Sequence, residues 1–242
     1  MSRRPPLLSG VVVAQDNERT LPAVLHQLGR VADEIVLVDG GSRDATPDLA
    51  LATPGLRFFH RPFTGNIAEQ KNFALDQALG DWILILDTDE LLSDPALRVV
   101  PWLVRTPGLS WVKFSRCWLV EDDQRIGHLV SRLHFPDFQL RLFRNRRPFR
   151  YDLARSPVHH NFPKAGRGIG LKLRRRPIMH FDFLLNDRAA REAKVERYRL
   201  LDSDSESTHA MYLWEDFPGA ELRPLPAASD HLLGGRLERH RG

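Results

Sequence analysis

Short apolar runs alternate with amphipathic segments along the first hundred residues, the rhythm of a strand–helix repeat. Leu7 to Ala14 contains a run that predicts a first strand. Leu21, Val24, Leu25 and Leu28 then fall at i, i+3, i+4 and i+7, one face of a helix. Ile35 to Val38 predicts a second, buried strand, Asp44 to Ala50 a capped helix start, and Leu56 to Phe59 a third strand ending near Pro62. A helix over Asn66 to Leu79 follows, with a stripe of Ile67, Lys71, Leu75 and Leu79 at intervals of four. Trp82 to Leu86 is apolar at every position, as in a strand covered on both faces. The order predicts an α/β fold, a doubly wound and mostly parallel sheet flanked by helices.

Past residue 105 the rhythm changes. Trp111 to Val120 and Phe138 to Phe143 read as strands, 171–183 as an extended basic stretch, and Asp187 to Leu201 as an amphipathic helix. The expected organisation is a first half over 7–105, a smaller mixed second half of the same domain over 106–203, and a C-terminal extension over 204–242.

Two positions break the apolar pattern. Lys71 is a cation within the inward stripe of its helix, so it must either snorkel to the rim or meet an anion. The buried strand Trp82 to Leu86 runs directly into Asp87, Thr88, Asp89 and Glu90. Acids at the carboxyl end of a parallel strand stand on the edge where open α/β sheets bind ligands. Asp87 and Asp89 repel unless a cation or a basic partner neutralises them. A divalent metal, Mg²⁺ or Mn²⁺, suits the pair, because Mg²⁺ takes one or two carboxylates and completes its shell with water and phosphate oxygens. The plain alternative is a solvated loop with an acidic helix start at Glu90. Three more polar clusters fall at predicted strand ends: Ala14 to Glu18, Asp39 to Asp44, and the loop around His60.

Composition narrows the classes. The 242 residues are 42% apolar and 27% charged, as in a soluble α/β domain with a sizeable core. Cys117 is the only cysteine, so no internal disulfide forms and a reducing, cytoplasmic setting is expected. No apolar run approaches the ~20 residues of a membrane span. The net charge of +4 hides an uneven distribution, for residues 101–200 carry 22 basic and 9 acidic side chains. A polyanionic partner would account for this, and so would a well-solvated arginine surface. A dinucleotide fold requires a glycine-rich turn after its first strand, but the turn here is Ala14-Gln15-Asp16-Asn17-Glu18.

Taken in order, VVVAQDNERTL, ADEIVLVDGGSRDAT, FHRPFTGNIAEQKNFAL, GDWILILDTDE, HFPDFQLRLFR, SPVHHN and PIMHFDF…KVERY resemble the family 2 glycosyltransferases of the GT-A fold. The likeness is to the small bacterial branch that includes lipopolysaccharide-core and other cell-envelope sugar transferases, and it covers residues 8–201. It implies an inverting, metal-dependent transferase whose donor is a nucleotide-sugar, a UDP-sugar being favoured, and whose acceptor is a glycan or lipid-linked glycan. No nucleic acid is expected as a partner. Peripheral association with an anionic membrane, at the inner face, would suit the basic middle segment. The Q-x-x-R-W motif of processive synthases is absent, so one sugar per encounter is expected.

The resemblance also assigns roles. Ala14, Asp16 and Glu18 line the nucleotide pocket, and Asp39 accepts a hydrogen bond from the base or its neighbourhood. Asp87 and Asp89 match the D-x-D pair, with Asp89 the direct metal ligand, and Lys71 faces the nucleotide-sugar. Asp137 is the first candidate for the base that deprotonates the acceptor, unless it simply pairs with Arg141. His159 aligns with the histidine of a V-H-E pattern whose Glu is replaced here by His160. His180 resembles a histidine near the metal or phosphates, and a structural role is its alternative. Two other readings stay open: an inactive glycosyltransferase-like module that binds a glycolipid, and an aspartyl-phosphate phosphatase. The latter is weakened by Leu91 two residues after the second Asp, where that motif expects Thr or Val.

Overall fold

The structure, a computed structural model, describes residues 6–121, 125–147, 149–153, 168–201, 211–216 and 218–225. The chain forms two compact units that share it in interleaved pieces. The first holds residues 1–91, 101–113 and 140–171, and the second 92–100, 114–139 and 172–242.

The first unit carries the expected strand–helix alternation: β1 (Leu8–Ala14), α1 (Leu21–Leu28), β2 (Glu34–Asp39), α2 (Thr46–Leu51), β3 (Leu56–His60), α3 (Ile67–Gln77) and β4 (Trp82–Ile85). β1 lies between β2 and β4, parallel to both, and β3 extends the sheet beyond β2. The chain's direction of winding therefore reverses between β1 and β4, the switch point where such sheets open a crevice at their carboxyl edge. The last residues of β8 (Asp137–Arg144) run antiparallel to β4, with Ile83 opposite Phe143. Val11, Val36, Val38, Leu75, Ile83, Ile85, Phe143 and Phe149 pack into one apolar cluster of this unit. α3 starts on Asn66, whose side chain accepts from the amides of Ala68 and Glu69 and so satisfies two amides left open at a helix start.

Four elements were not anticipated from periodicity. β5 (Glu90–Leu92) and α4 (Asp94–Leu103) follow β4 directly, so Glu90 begins a buried strand where a solvated helix start was the alternative. β7 (Ile126–Val130) and β10 (Glu221–Pro224) form a hairpin-like edge with the end of β6 (Leu109–Glu121), antiparallel throughout. In the second unit β9 (Ile169–His180) leads through α5 (Asp182–Leu185) into α6 (Arg188–Leu201). Its core gathers Cys117, Leu119 and Met179 with Phe135, Phe181 and Leu184 against them. Among the described residues no helix is long and apolar enough to cross a membrane.

Candidate functional site

The carboxyl ends of β1, β2, β3 and β4 bring the sequence's polar clusters to one edge of the first unit. Two of the loops are stitched together. Asp16 donates its amide to Ser42 Oγ at 2.9 Å and accepts from the Arg43 amide at 2.7 Å. Glu18 donates its amide to Asp44 Oδ2 and accepts from the Ala45 amide, both at 2.9 Å. The Asn17 amide donates to Thr46 Oγ1 at 2.8 Å. Asp16 takes a left-handed conformation with φ 54°, which Asp tolerates better than most side chains. Both acids thus brace the loop wall.

Asp39 ends β2 and is buried. It accepts from the amides of Gly41 at 3.0 Å and Ser42 at 3.2 Å, from the Ser42 hydroxyl at 2.5 Å, and faces His60 Nδ1 at 3.1 Å. Burial works against its charged form, but the Ser42 hydroxyl, the two amides and His60 outweigh it and hold the carboxyl below the ordinary 3.8.

The anomalous lysine meets its anion. Lys71 Nζ lies 2.6 Å from Asp87 Oδ1, and its side chain is 6% exposed. The second oxygen, Oδ2, is 2.6 Å from Arg141 Nη2. Arg141 also forks onto Glu90, with Nε 2.7 Å from Oε2 and Nη2 2.7 Å from Oε1, and the Glu90 side chain is fully buried. Burial alone would depress the Arg141 pKa, but Asp87 and Glu90 raise it well above the ordinary arginine value. Tyr151 closes the cluster: Lys71 Nζ stands 5.6 Å from its ring centroid, and burial drives its hydroxyl's pKa up. Two acids and two cations balance here, a charge state that burial permits. Arg141 and Glu90 were not assigned to the site from sequence. The available signal was an arginine inside the apolar run Leu140 to Phe143, which has to meet an anion when its strand is buried.

A divalent cation at this edge would take Asp89, which lies in the turn between β4 and β5, as its carboxylate. Both Asp87 oxygens face cations. Among the described residues no three His, Cys, Asp or Glu side chains gather around a common point. A Mg²⁺-type site does not require three, since substrate phosphate and water complete it.

The remaining candidates belong to the second unit or lie outside the described residues. Asp137 is paired with Arg116, with Nη2 to Oδ2 2.7 Å, and accepts from the Trp118 indole at 3.2 Å and the Gln139 amide at 2.6 Å. Its guanidinium partner is thus Arg116, and the pairing with Arg141 weighed from sequence is replaced by Arg141's contacts to Asp87 and Glu90. The His180 ring is buried 4.2 Å from Trp118, a core setting. His159 and His160 fall outside the described residues.

The profile of glycosyl transferase family 2 matches residues 9–156. The lipopolysaccharide core biosynthesis glycosyltransferase LpsC of Rhizobium meliloti is 30% identical over 205 residues, 82% of this chain and 71% of LpsC. A TPR repeat-containing protein of Synechococcus elongatus is 30% identical over 141 residues, 58% of this chain but only 32% of that protein. Among solved structures, TarS of S. aureus aligns with 96% of this chain and 46% of its own at a TM-score of 0.54 and 14% identity, a likeness of fold alone.

Proposed function

The chain belongs to glycosyl transferase family 2, and on that premise we propose that it transfers a sugar from a nucleoside diphosphate donor, with a UDP-sugar favoured, to a cell-envelope glycan or lipid-linked acceptor. The observation that carries this reading is the cluster of Lys71, Asp87, Arg141 and Glu90 at the carboxyl edge of β4. An oxygen-lined edge backed by buried cations is suited to a diphosphate: Lys71 can turn its ammonium from Asp87 to the anion without losing a counter-charge. Asp89 would hold a divalent cation, which supplies neutralisation of the leaving diphosphate.

This chain's own residues have distinct tasks in that reading. Arg141 bridges Asp87 and Glu90 and fixes both carboxylates, so the edge keeps one shape with or without donor. The stitched loops carrying Asp16 and Glu18 form a wall that need not reorganise on binding, which lowers the entropic cost of positioning. Asp137 takes the role of base on resemblance alone, and Arg116 holds its carboxylate in place. Resemblance to LpsC supports a lipopolysaccharide-type acceptor. The exposed Lys172, Arg174 and Arg175 on β9 would suit an anionic surface.

The reading is tested by donor hydrolysis across UDP-, GDP-, dTDP- and ADP-sugars with Mn²⁺ or Mg²⁺. Release of nucleoside diphosphate from one nucleotide class, and only with metal present, is expected. Absence of turnover together with absence of thermal protection by every donor would favour a non-catalytic module.

A further inference from the structure

Asn72, on α3, and Tyr151 exchange two hydrogen bonds across 79 positions of sequence. Asn72 Nδ2 donates to the Tyr151 carbonyl at 2.8 Å, and Asn72 Oδ1 accepts from the Tyr151 amide at 2.7 Å. A neutral side-chain amide carries donor and acceptor in one plane, so Asn72 answers both backbone groups of Tyr151 as an opposite residue of an antiparallel ladder would. One turn further along α3, Asp76 Oδ1 pairs with Arg150 Nε at 2.8 Å. That second tether is a flexible charge pair whose acid is well exposed, and it holds weakly; the clasp on Tyr151 is the directional one. With its backbone held, the buried Tyr151 sets its ring centroid 5.6 Å from Lys71 Nζ. The same ammonium donates to Asp87 Oδ1 at 2.6 Å. Among the described residues these two contacts locate the Lys71 charge, and the residue that follows Lys71 in the chain controls one of them.

We propose that Asn72 is a positioning residue for the donor: by clasping the backbone of Tyr151 it seats the ring that holds the Lys71 ammonium at the carboxyl edge of β4, aimed for a diphosphate. An aromatic face attracts a cation through its quadrupole, so the ring locates Lys71 while leaving N–H donors of the ammonium for phosphate oxygens. Ala at position 72 would leave both backbone groups of Tyr151 to water, and Asp would set a carboxylate against the Tyr151 carbonyl. Either change releases the ring, and the cation loses its aim while keeping its charge. This inference rests on the nucleotide-donor reading and adds to it the residue that aims the cation.

The test is a double-mutant cycle: calorimetric binding of UDP with Mn²⁺ to the unmodified protein, Asn72→Ala, Lys71→Met and the double variant, with thermal unfolding midpoints as a check on folding. Asn72→Ala should weaken UDP by about tenfold, the scale of one charge-assisted hydrogen bond, and Lys71→Met by at least as much. The double variant should bind no more weakly than Lys71→Met, because Asn72 has nothing left to aim. Uridine, which lacks the diphosphate and is followed by ligand-observed NMR, should bind all four proteins alike; a merely structural loss would weaken it too. Asp76→Ala, which breaks the neighbouring tether, should bind UDP as the unmodified protein does. Tyr151→Leu keeps the clasp and removes the ring, so it should match Asn72→Ala, and it takes that variant's place in the cycle if Asn72→Ala does not fold. Undiminished UDP binding by Asn72→Ala or Lys71→Met, additive losses in the double variant, or equal weakening of uridine overturns the assignment while leaving the donor reading intact. Absence of UDP binding to the unmodified protein overturns the donor reading and this inference with it.

Discussion

Arg141 Nη2 touches two carboxylates at once, 2.6 Å from Asp87 Oδ2 and 2.7 Å from Glu90 Oε1. One guanidinium thereby ties the turn after β4 to the strand that follows it. Lysine could not do so, because a compact ammonium lacks the fork that spans two acceptors in one plane.

Replacing Arg141 with Met leaves Glu90 charged in a fully buried position. Stability should fall by about 3–5 kcal/mol, the usual consequence of removing one partner from a buried pair. The double variant Glu90→Gln, Arg141→Met should recover a large part of that loss. Urea unfolding at neutral pH reads both, and a single variant as stable as the unmodified protein would show that Glu90 does not depend on the pair.

Lys71→Met keeps the side-chain stem and removes the charge. Asp87 is a third exposed and keeps Arg141, so stability should change by under about 1 kcal/mol. Donor turnover should fall by about a hundredfold, the scale of removing one electrostatic contact to developing charge. Unaltered turnover would return Lys71 to a purely structural pairing.

Much of this arrangement was legible before any coordinates. The 3.6-residue spacing in α1 and the unbroken apolar runs of β2 and β4 declare their elements, because each buries a face that cannot be polar. Lys71 announced itself by violating its stripe. What could not be read was the partner of each charge. Glu90 looks like a helix start because an acid after a strand suits a solvated turn, and only the return of β8 beside β4 brings Arg141 to it. The Asp39–His60 contact depends on the register of β2 against β3, which local sequence does not encode. β10 was missed because its partner β7 lies about ninety residues back along the chain and its residues are few, and β7 because it is a short strand of five residues.

The second unit should be acid-sensitive through His134. Its Nε2 faces the Met211 carbonyl at 2.8 Å and its Nδ1 the Ser131 hydroxyl at 2.7 Å, an arrangement that suits the neutral ring. Burial lowers its pKa below the ordinary 6.5, only partly opposed by the Met211 carbonyl and Asp137. The unfolded chain then binds a proton near pH 6.5 that the native state refuses until lower pH, so stability is full above that value and declines as pH falls through it. Buried His128 shifts in the same direction and adds to the effect. Urea midpoints at pH 7.5 and 5.5, set on either side of the ordinary histidine range near ~6.5, should show the loss, and His134→Gln should flatten it. A profile as steep in the variant would assign the sensitivity to other groups.

The central claim, that the acids after β4 place a metal-bound nucleoside diphosphate at the sheet edge, is tested most directly by calorimetry of UDP with and without Mn²⁺ on the unmodified protein and Asp89→Ala. With Mn²⁺ present, Asp89→Ala should bind UDP at least about tenfold more weakly, because the cation that neutralises the diphosphate has lost its carboxylate. Without Mn²⁺ the two proteins should bind alike. Equal, tight binding of UDP to both proteins in the presence of Mn²⁺ would contradict the account.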